Sequence, residues 1–185
     1  TGYRFINEQN IPTDRPLIIV TNHQSMYDIP PIIWYMRKYH PKFVSKIELG
    51  KGIPSVSYNL RHGGSALIDR KDPKQSISEL QKLAKYINEN NRSAVIFPEG
   101  TRSRNGVPKP FGTTGLKVML KNAPEALIIP ISINNSWKLL RYGKFPMGLG
   151  SQVTFEVHPP IENEGKADEL IAQIESTIVG GVNTN

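Results

Sequence analysis

Short apolar runs alternate along the chain with longer stretches in which apolar residues recur every three or four positions. The runs Leu17–Thr21, Lys42–Ser45, Ser65–Ile68, Ala94–Phe97 and Leu127–Ile133 are bounded by turn formers and predict strands. Val153–Val157 alternates apolar and polar residues, which predicts a half-solvated strand near a sheet edge. Pro130 lacks a ladder donor and therefore predicts an edge, a bulge or a strand end, splitting Leu127–Ile133. Helical spacing falls at Ile29–Tyr39, where Ile29, Ile32, Ile33 and Met36 share a face. It recurs at Pro73–Asn90, with Asp72 as a cap, Ile77, Leu80, Ala84 and Ile87 as a stripe, and Asn90-Asn91 as a stop. Gly112–Lys121 turns Leu116, Met119 and Leu120 inward. Lys166–Val179 carries Leu170, Ile171, Ile174 and Ile178. Leu49–Gly64 holds several glycines and a proline and reads as irregular.

Strand and helix in alternation predict an α/β layered domain. There is no repeat, linker or low-complexity tract, so residues 1–185 read as one domain. The absence of cysteine excludes disulfides, thiolate metal sites and cysteine nucleophiles. The four histidines, His23, His40, His62 and His158, have no metal-ligand spacing, and no metal is expected. A net charge of +7 favours anionic partners, but the basic residues are scattered, which argues against a nucleic-acid tail. No stretch approaches the roughly 20 apolar residues that a membrane span needs.

Three polar stretches each follow an apolar strand, where α/β sheets gather their chemistry. In Asn22-His23-Gln24-Ser25-Met26-Tyr27-Asp28, Asp28 either fixes the tautomer of a His23 base or caps the helix that begins Ile29-Pro30-Pro31. The two roles are compatible, and the spacing alone favours the cap. Around Asp69-Arg70-Lys71, the arginine fork suits phosphate, while a surface Asp69–Arg70 pair is the plainer alternative. In Phe97-Pro98-Glu99-Gly100-Thr101-Arg102-Ser103-Arg104, an acid and two arginines stand at the end of a buried strand. Phosphate loops, dinucleotide fingerprints, zinc-protease helices and serine elbows are absent. Ser25 as a hydrolase nucleophile lacks the expected elbow.

In order and spacing these stretches resemble the glycerolipid acyltransferase family (PlsC-like, the lysophosphatidic acid acyltransferases). Asn22, His23 and Asp28 match its first block, N-H-x-x-x-x-D. Gly64, Ile68, Asp69 and Arg70 match the second, Phe97 to Ser103 match the third in full, and Ile129, Pro130 and Ile131 match the fourth. Many members carry an apolar helix or hairpin ahead of the first block, and no such segment stands among these residues.

The resemblance implies an α/β fold with a central mixed, largely parallel sheet flanked by helices. It implies acyl transfer from acyl-CoA or acyl carrier protein to the sn-2 hydroxyl of 1-acylglycerol-3-phosphate, with His23 as base and Asp28 orienting it. Arg70 and Arg102 are then the expected phosphate ligands, with Lys71 and Arg104 in support. Glu99 orients Arg70 or binds the glycerol, and oxyanion donors lie near Gly100 and Thr101. Asn22, Gly64, Asp69, Ser103 and Pro130 support the site. No cofactor is expected beyond the thioester co-substrate. The expected partners are the lysophospholipid, the acyl thioester, acyl carrier protein where it is the donor, and an anionic membrane surface on the cytoplasmic side. Glycerol-3-phosphate, another lysophospholipid or a lyso-aminolipid are alternative acceptors. A non-catalytic phospholipid-binding module is the alternative outside enzymes.

Overall fold

The computed structural model describes residues 2–7, 11–50, 58, 62–143, 145 and 147–183. The strands are β1 (Gly2–Ile6), β2 (Leu17–Thr21), β3 (Pro41–Lys46), β4 (Ala66–Ile68), β5 (Ser93–Ile96), β6 (Leu127–Asn134) and β7 (Gln152–Val157). They form one sheet in the order β1-β7-β6-β2-β5-β3-β4. Only the β6–β7 pair is antiparallel. The helices whose bounds lie among the described residues are α1 (Ile29–Tyr35), α2 (Pro73–Asn90), α3 (Thr113–Asn122) and α4 (Ala167–Gly180).

Period-two alternation in the central strands builds two cores. Ile18, Val20, Ala94, Ile96 and Ile128 point to one face and pack against Leu80, Ala84 and Ile87 of α2, Leu116 and Met119 of α3, and Ile171 and Ile174 of α4. Leu17, Ile19, Val95, Ile129 and Ile131 point to the other face and meet Ile32, Met36, Tyr39 and Phe155. Each face is therefore covered, which suits a parallel sheet. β2, β4 and β5 run the same way, so their carboxyl ends, and the three polar stretches that follow them, reach one edge of the sheet.

Several expectations change. β1 has no signal in the sequence pattern; it pairs in parallel with β7 and takes the sheet edge, leaving β7 inside. β6 is one continuous strand with β2 on one side and β7 on the other, and Pro130 does not split it. The Pro130 carbonyl accepts the His158 N–H at 3.0 Å, so the missing proline donor also faces β7. That position lies just past Ile131↔Val157, the end of the β6–β7 ladder, and the β2 pairing loses nothing. α1 ends at Tyr35, and Arg37–Tyr39 form a separate 3-10 turn. Ile32 and Met36 are buried, whereas Ile33 is 49 % exposed and does not share their face toward the core. In α2, Leu83 is buried with Leu80, and Ile77 is only half-buried. Most of Leu49–Gly64 lies outside the described residues.

The start of α2 anchors the end of β4. Asp72 accepts the Gln75 N–H at 3.1 Å as a helix cap. The Gln75 side chain in turn accepts the Asp69 N–H at 2.8 Å and donates to the Leu67 carbonyl at 2.9 Å. Ser76 Oγ donates to the Asp69 carbonyl at 2.6 Å. Arg70 thus leaves a turn whose backbone is held from both sides.

Candidate active site

The loop after β2 is fixed through its buried polar side chains. The Asn22 amide donates to the Ile133 carbonyl at 2.9 Å and accepts the Ile133 N–H at 2.7 Å. Gln24 Oε1 accepts the N–H of Ser136 at 3.0 Å and of Trp137 at 3.4 Å. Ser25 Oγ accepts the Tyr27 N–H at 3.2 Å and opens the 3-10 turn Met26–Asp28. With these neighbours committed, His23 keeps its side chain 17 % exposed beside a fully buried Asp28.

His23 Nδ1 lies 2.8 Å from Asp28 Oδ2. The same carboxylate oxygen accepts the N–H groups of Gln24 at 2.8 Å and Ser25 at 2.9 Å. Asp28 is in the N-cap position of α1 yet makes no capping bond there. Its carboxylate turns back to the histidine instead, which corrects the reading of Asp28 as the α1 cap. A carboxylate only accepts, so the shared proton sits on Nδ1 and Nε2 keeps its lone pair.

The stretch after β5 closes over the same residue. The Glu99 carboxylate accepts the backbone N–H of His23 at 2.7 Å and of Lys109 at 2.8 Å. The His23 carbonyl accepts the Ser103 N–H at 2.7 Å and Ser103 Oγ at 3.2 Å. The Phe97 ring packs on the imidazole with centroids 4.3 Å apart. Burial raises the Glu99 pKa, and the two backbone donors oppose that rise. Glu99 therefore braces the backbone of His23, in place of the expected contact with Arg70.

A cleft of about 810 Å³ opens at this junction. Its polar lining includes His23, Ser45, Lys46, Glu48, Arg70, Gly100, Thr101 and Arg102, and Val44, Ile68, Leu80, Ile96 and Phe97 contribute to an apolar wall. Gly100 has φ +67° and lies under Arg70: a Cβ there would meet the guanidinium carbon at 3.7 Å. Desolvation lowers the Arg70 pKa, with Glu48 opposing it, and the guanidinium remains cationic at neutral pH. Arg70 makes no hydrogen bond among the described residues. The Acyltransferase family profile matches residues 2–134.

The chain belongs to the acyltransferase family.

It is 41 % identical over 133 residues to a 1-acyl-sn-glycerol-3-phosphate acyltransferase of Helicobacter pylori, covering 68 % of this chain and 54 % of that protein. It is 30 % identical over 166 residues to one of Chlamydomonas reinhardtii, covering 89 % of this chain and 48 % of that protein. The chain thus spans about half the length of these curated relatives. The crystal structure of the 1-acyl-sn-glycerophosphate acyltransferase PlsC from Thermotoga maritima superposes with a TM-score of 0.79 at 28 % identity, covering 98 % of this chain and 70 % of that one.

The family's first three blocks converge on the cleft, and their residues take different positions. His23, Arg70, Gly100, Thr101 and Arg102 line it. Asp28, Asn22, Glu99 and Ser103 stand behind His23 and hold it. The Gly100 N–H is committed to the Phe97 carbonyl at 3.0 Å, so it is not free to serve an oxyanion. Asp69 closes its own turn on the Lys71 N–H at 2.9 Å and makes no ion pair with Arg70. Gly64 packs near Lys42, Pro130 is buried in β6, and exposed Lys71 does not line the cleft. Arg104 lines a second, smaller cavity with Arg102. Gln24 and the Lys109 backbone were not anticipated as parts of the site. Gln24 stands inside the first block at a position the block leaves open, and a backbone donor carries no sequence signal. Among the described residues no acidic and histidine cluster is arranged for a metal, and no helix is long and apolar enough to cross a membrane.

Proposed function

We propose that this domain transfers a fatty acyl group from an acyl thioester to the sn-2 hydroxyl of 1-acylglycerol-3-phosphate, forming phosphatidic acid. The observation that carries the reading is the His23–Asp28 pair, 2.8 Å apart, at the wall of a cleft that also holds Arg70, which has no hydrogen bond or close ion pair among the described residues. Nε2 of His23 takes the proton of the acceptor hydroxyl as its oxygen attacks the thioester carbonyl. The C–O bond forms, the C–S bond breaks, and the imidazolium returns the proton to the departing thiolate. Asp28 holds the ring and stabilises its cationic form. The hydroxyl attacks directly, so no protein nucleophile is needed; Ser25 Oγ is buried and occupied as a cap.

Arg70 and Arg102 bind the acceptor phosphate, for which the planar guanidinium is suited. The Thr101 N–H, free among the described residues at the cleft, is the candidate donor to the developing oxyanion. The acyl chains lie along the apolar wall. The donor is acyl-CoA or acyl carrier protein, with no further cofactor and no nucleic-acid partner. The domain works at the cytoplasmic face of a membrane. In support, Met26 at the cleft and Ile33 and Trp34 on α1 are 50 %, 49 % and 66 % exposed, and the chain carries a net charge of +7. The relatives' names favour the lysophosphatidate acceptor over glycerol-3-phosphate or another lysolipid. Acyl transfer assayed across these acceptors tests the assignment. Product with 1-acylglycerol-3-phosphate supports it, and transfer only to another acceptor overturns it.

A further inference from the structure

A second cavity of about 240 Å³ adjoins the cleft. Met26 and Arg102 line both. Its other described lining residues are Gln24, next to the base in sequence, Arg104, Trp137, Leu140 and Gly143. Apart from Arg102, which the two cavities share, nothing in the proposed acceptor chemistry uses this space.

Its chemistry is specific. Among the described residues no acidic side chain lines it. Arg104 is exposed and has no hydrogen bond or ion pair among the described residues. Lys138 adds positive charge, its Nζ 5.7 Å from the Trp137 ring centroid. The Trp137 backbone N–H reaches Gln24 Oε1 at 3.4 Å, and Gly106, with φ +82°, lies so close beneath the indole that a Cβ would collide with it. A fixed aromatic face beside two guanidinium groups suits a ligand with a slender neutral stem and a phosphate.

We propose that this cavity binds the phosphate end of the phosphopantetheine arm of the acyl donor. The inference rests on the transferase reading. Two substrates must meet at one base, and each brings an anionic group at a distance from its reacting atom. The large cleft, with Arg70, takes the acceptor. The small cavity receives the donor's arm past Arg102, and Arg104 binds its phosphate while Trp137 packs along the stem. This phosphate is common to acyl-CoA and acyl carrier protein, so the cavity serves either donor.

The test is steady-state kinetics of Arg104→Ala with three donors: acyl-CoA, acyl carrier protein and acyl-pantetheine, which lacks the phosphate. Arg104 is exposed and makes no bond among the described residues, so its truncation leaves the fold intact. The donor KM rises about tenfold with acyl-CoA and with acyl carrier protein, as expected for one charged hydrogen-bond partner. It does not change with acyl-pantetheine, and the acceptor KM stays within about twofold of the wild type in all three. Arg104→Lys recovers part of the loss. An unchanged donor KM with both phosphorylated donors, a rise with acyl-CoA alone, or an equal rise with acyl-pantetheine overturns the assignment. Should the wild type transfer no acyl group at all, the proposed function fails on its own. Equilibrium binding of acyl-CoA to wild type and Arg104→Ala then still decides the cavity: equal affinity removes the phosphate from it.

Discussion

Oδ2 of Asp28 lies 2.8 Å from Nδ1 of His23, and the same oxygen accepts two backbone N–H groups of the loop that carries the histidine. The other oxygen, Oδ1, is buried without a hydrogen-bond partner. One oxygen therefore shapes the loop and orients the imidazole together. Asp28→Asn puts an amide NH2 on one side of this carboxyl and removes the charge that stabilises the imidazolium. Acyl transfer should fall by about 10² or more, within the range of general base catalysis. Stability should drop by about 1–3 kcal/mol, because a buried donor is left unmatched. Kinetics and thermal melting measured on one preparation check both. A variant that keeps full turnover would show that Asp28 serves the loop alone.

Arg70 sits over Gly100, where the second and third polar stretches meet, with no hydrogen bond or close ion pair to its guanidinium among the described residues and Glu48 as an electrostatic neighbour. Arg70→Ala should raise the KM for a phosphorylated acceptor about tenfold and leave the KM for the acyl donor nearly unchanged. A change confined to the donor would place the acceptor phosphate elsewhere.

Glu99 joins two backbone donors, the N–H groups of His23 and Lys109. In Glu99→Gln one of these N–H groups faces an amide NH2 instead of an oxygen. The melting temperature should fall by roughly 2–8 °C, for a loss of about 1–2 kcal/mol in a chain of this size. Turnover should fall with it, because the His23 backbone is no longer pinned. Unchanged melting and turnover would assign Glu99 no bracing role.

How far the sequence pattern reached depends on where each residue finds its partner. α2 was legible to its ends, because Asp72, Pro73 and Asn91 place its start and stop within a few residues of the helix itself. β1 was not, because Gly2–Ile6 pairs only with β7, far away in sequence. Pro130 was misjudged because the rule against proline in central strands assumes a donor needed at every position. Here the missing donor falls at the end of a ladder. His23, Asp28 and Arg70 were legible as candidates from their motifs. The position of Glu99 beneath the His23 backbone was not, since it depends on β2 and β5 lying side by side.

Away from the cleft, Ser132 Oγ donates to the Ile178 carbonyl at 2.7 Å and lies 2.7 Å from His158 Nε2. The contact docks the end of α4 on β6. Desolvation lowers the His158 pKa below 6.5, against a smaller upward pull from Glu156. A depressed histidine contributes stability that is present above its unfolded pKa and lost as pH falls through its folded one. The melting-temperature gap between wild type and His158→Asn should therefore be widest above about pH 7 and shrink as the pH drops below the ordinary histidine range. A gap that does not vary with pH would remove His158 from the acid response.

Ser25 Oγ accepts the Tyr27 N–H and is fully buried. Ser25→Ala should cost about 0.5–2 kcal/mol of stability, as for other lost caps, and keep acyl transfer within a few-fold. Loss of activity in a folded Ser25→Ala protein, together with thioester cleavage in the absence of any acceptor, would point to a serine hydrolase.

The central claim is that His23 is the base for acyl transfer. Its most direct test is turnover of 1-acylglycerol-3-phosphate with acyl-CoA by wild type and His23→Ala, alongside their melting curves. Phosphatidic acid formation should fall by about 10²–10⁴ in the variant, while the protein melts as a folded domain. Near-normal turnover by His23→Ala would contradict the account.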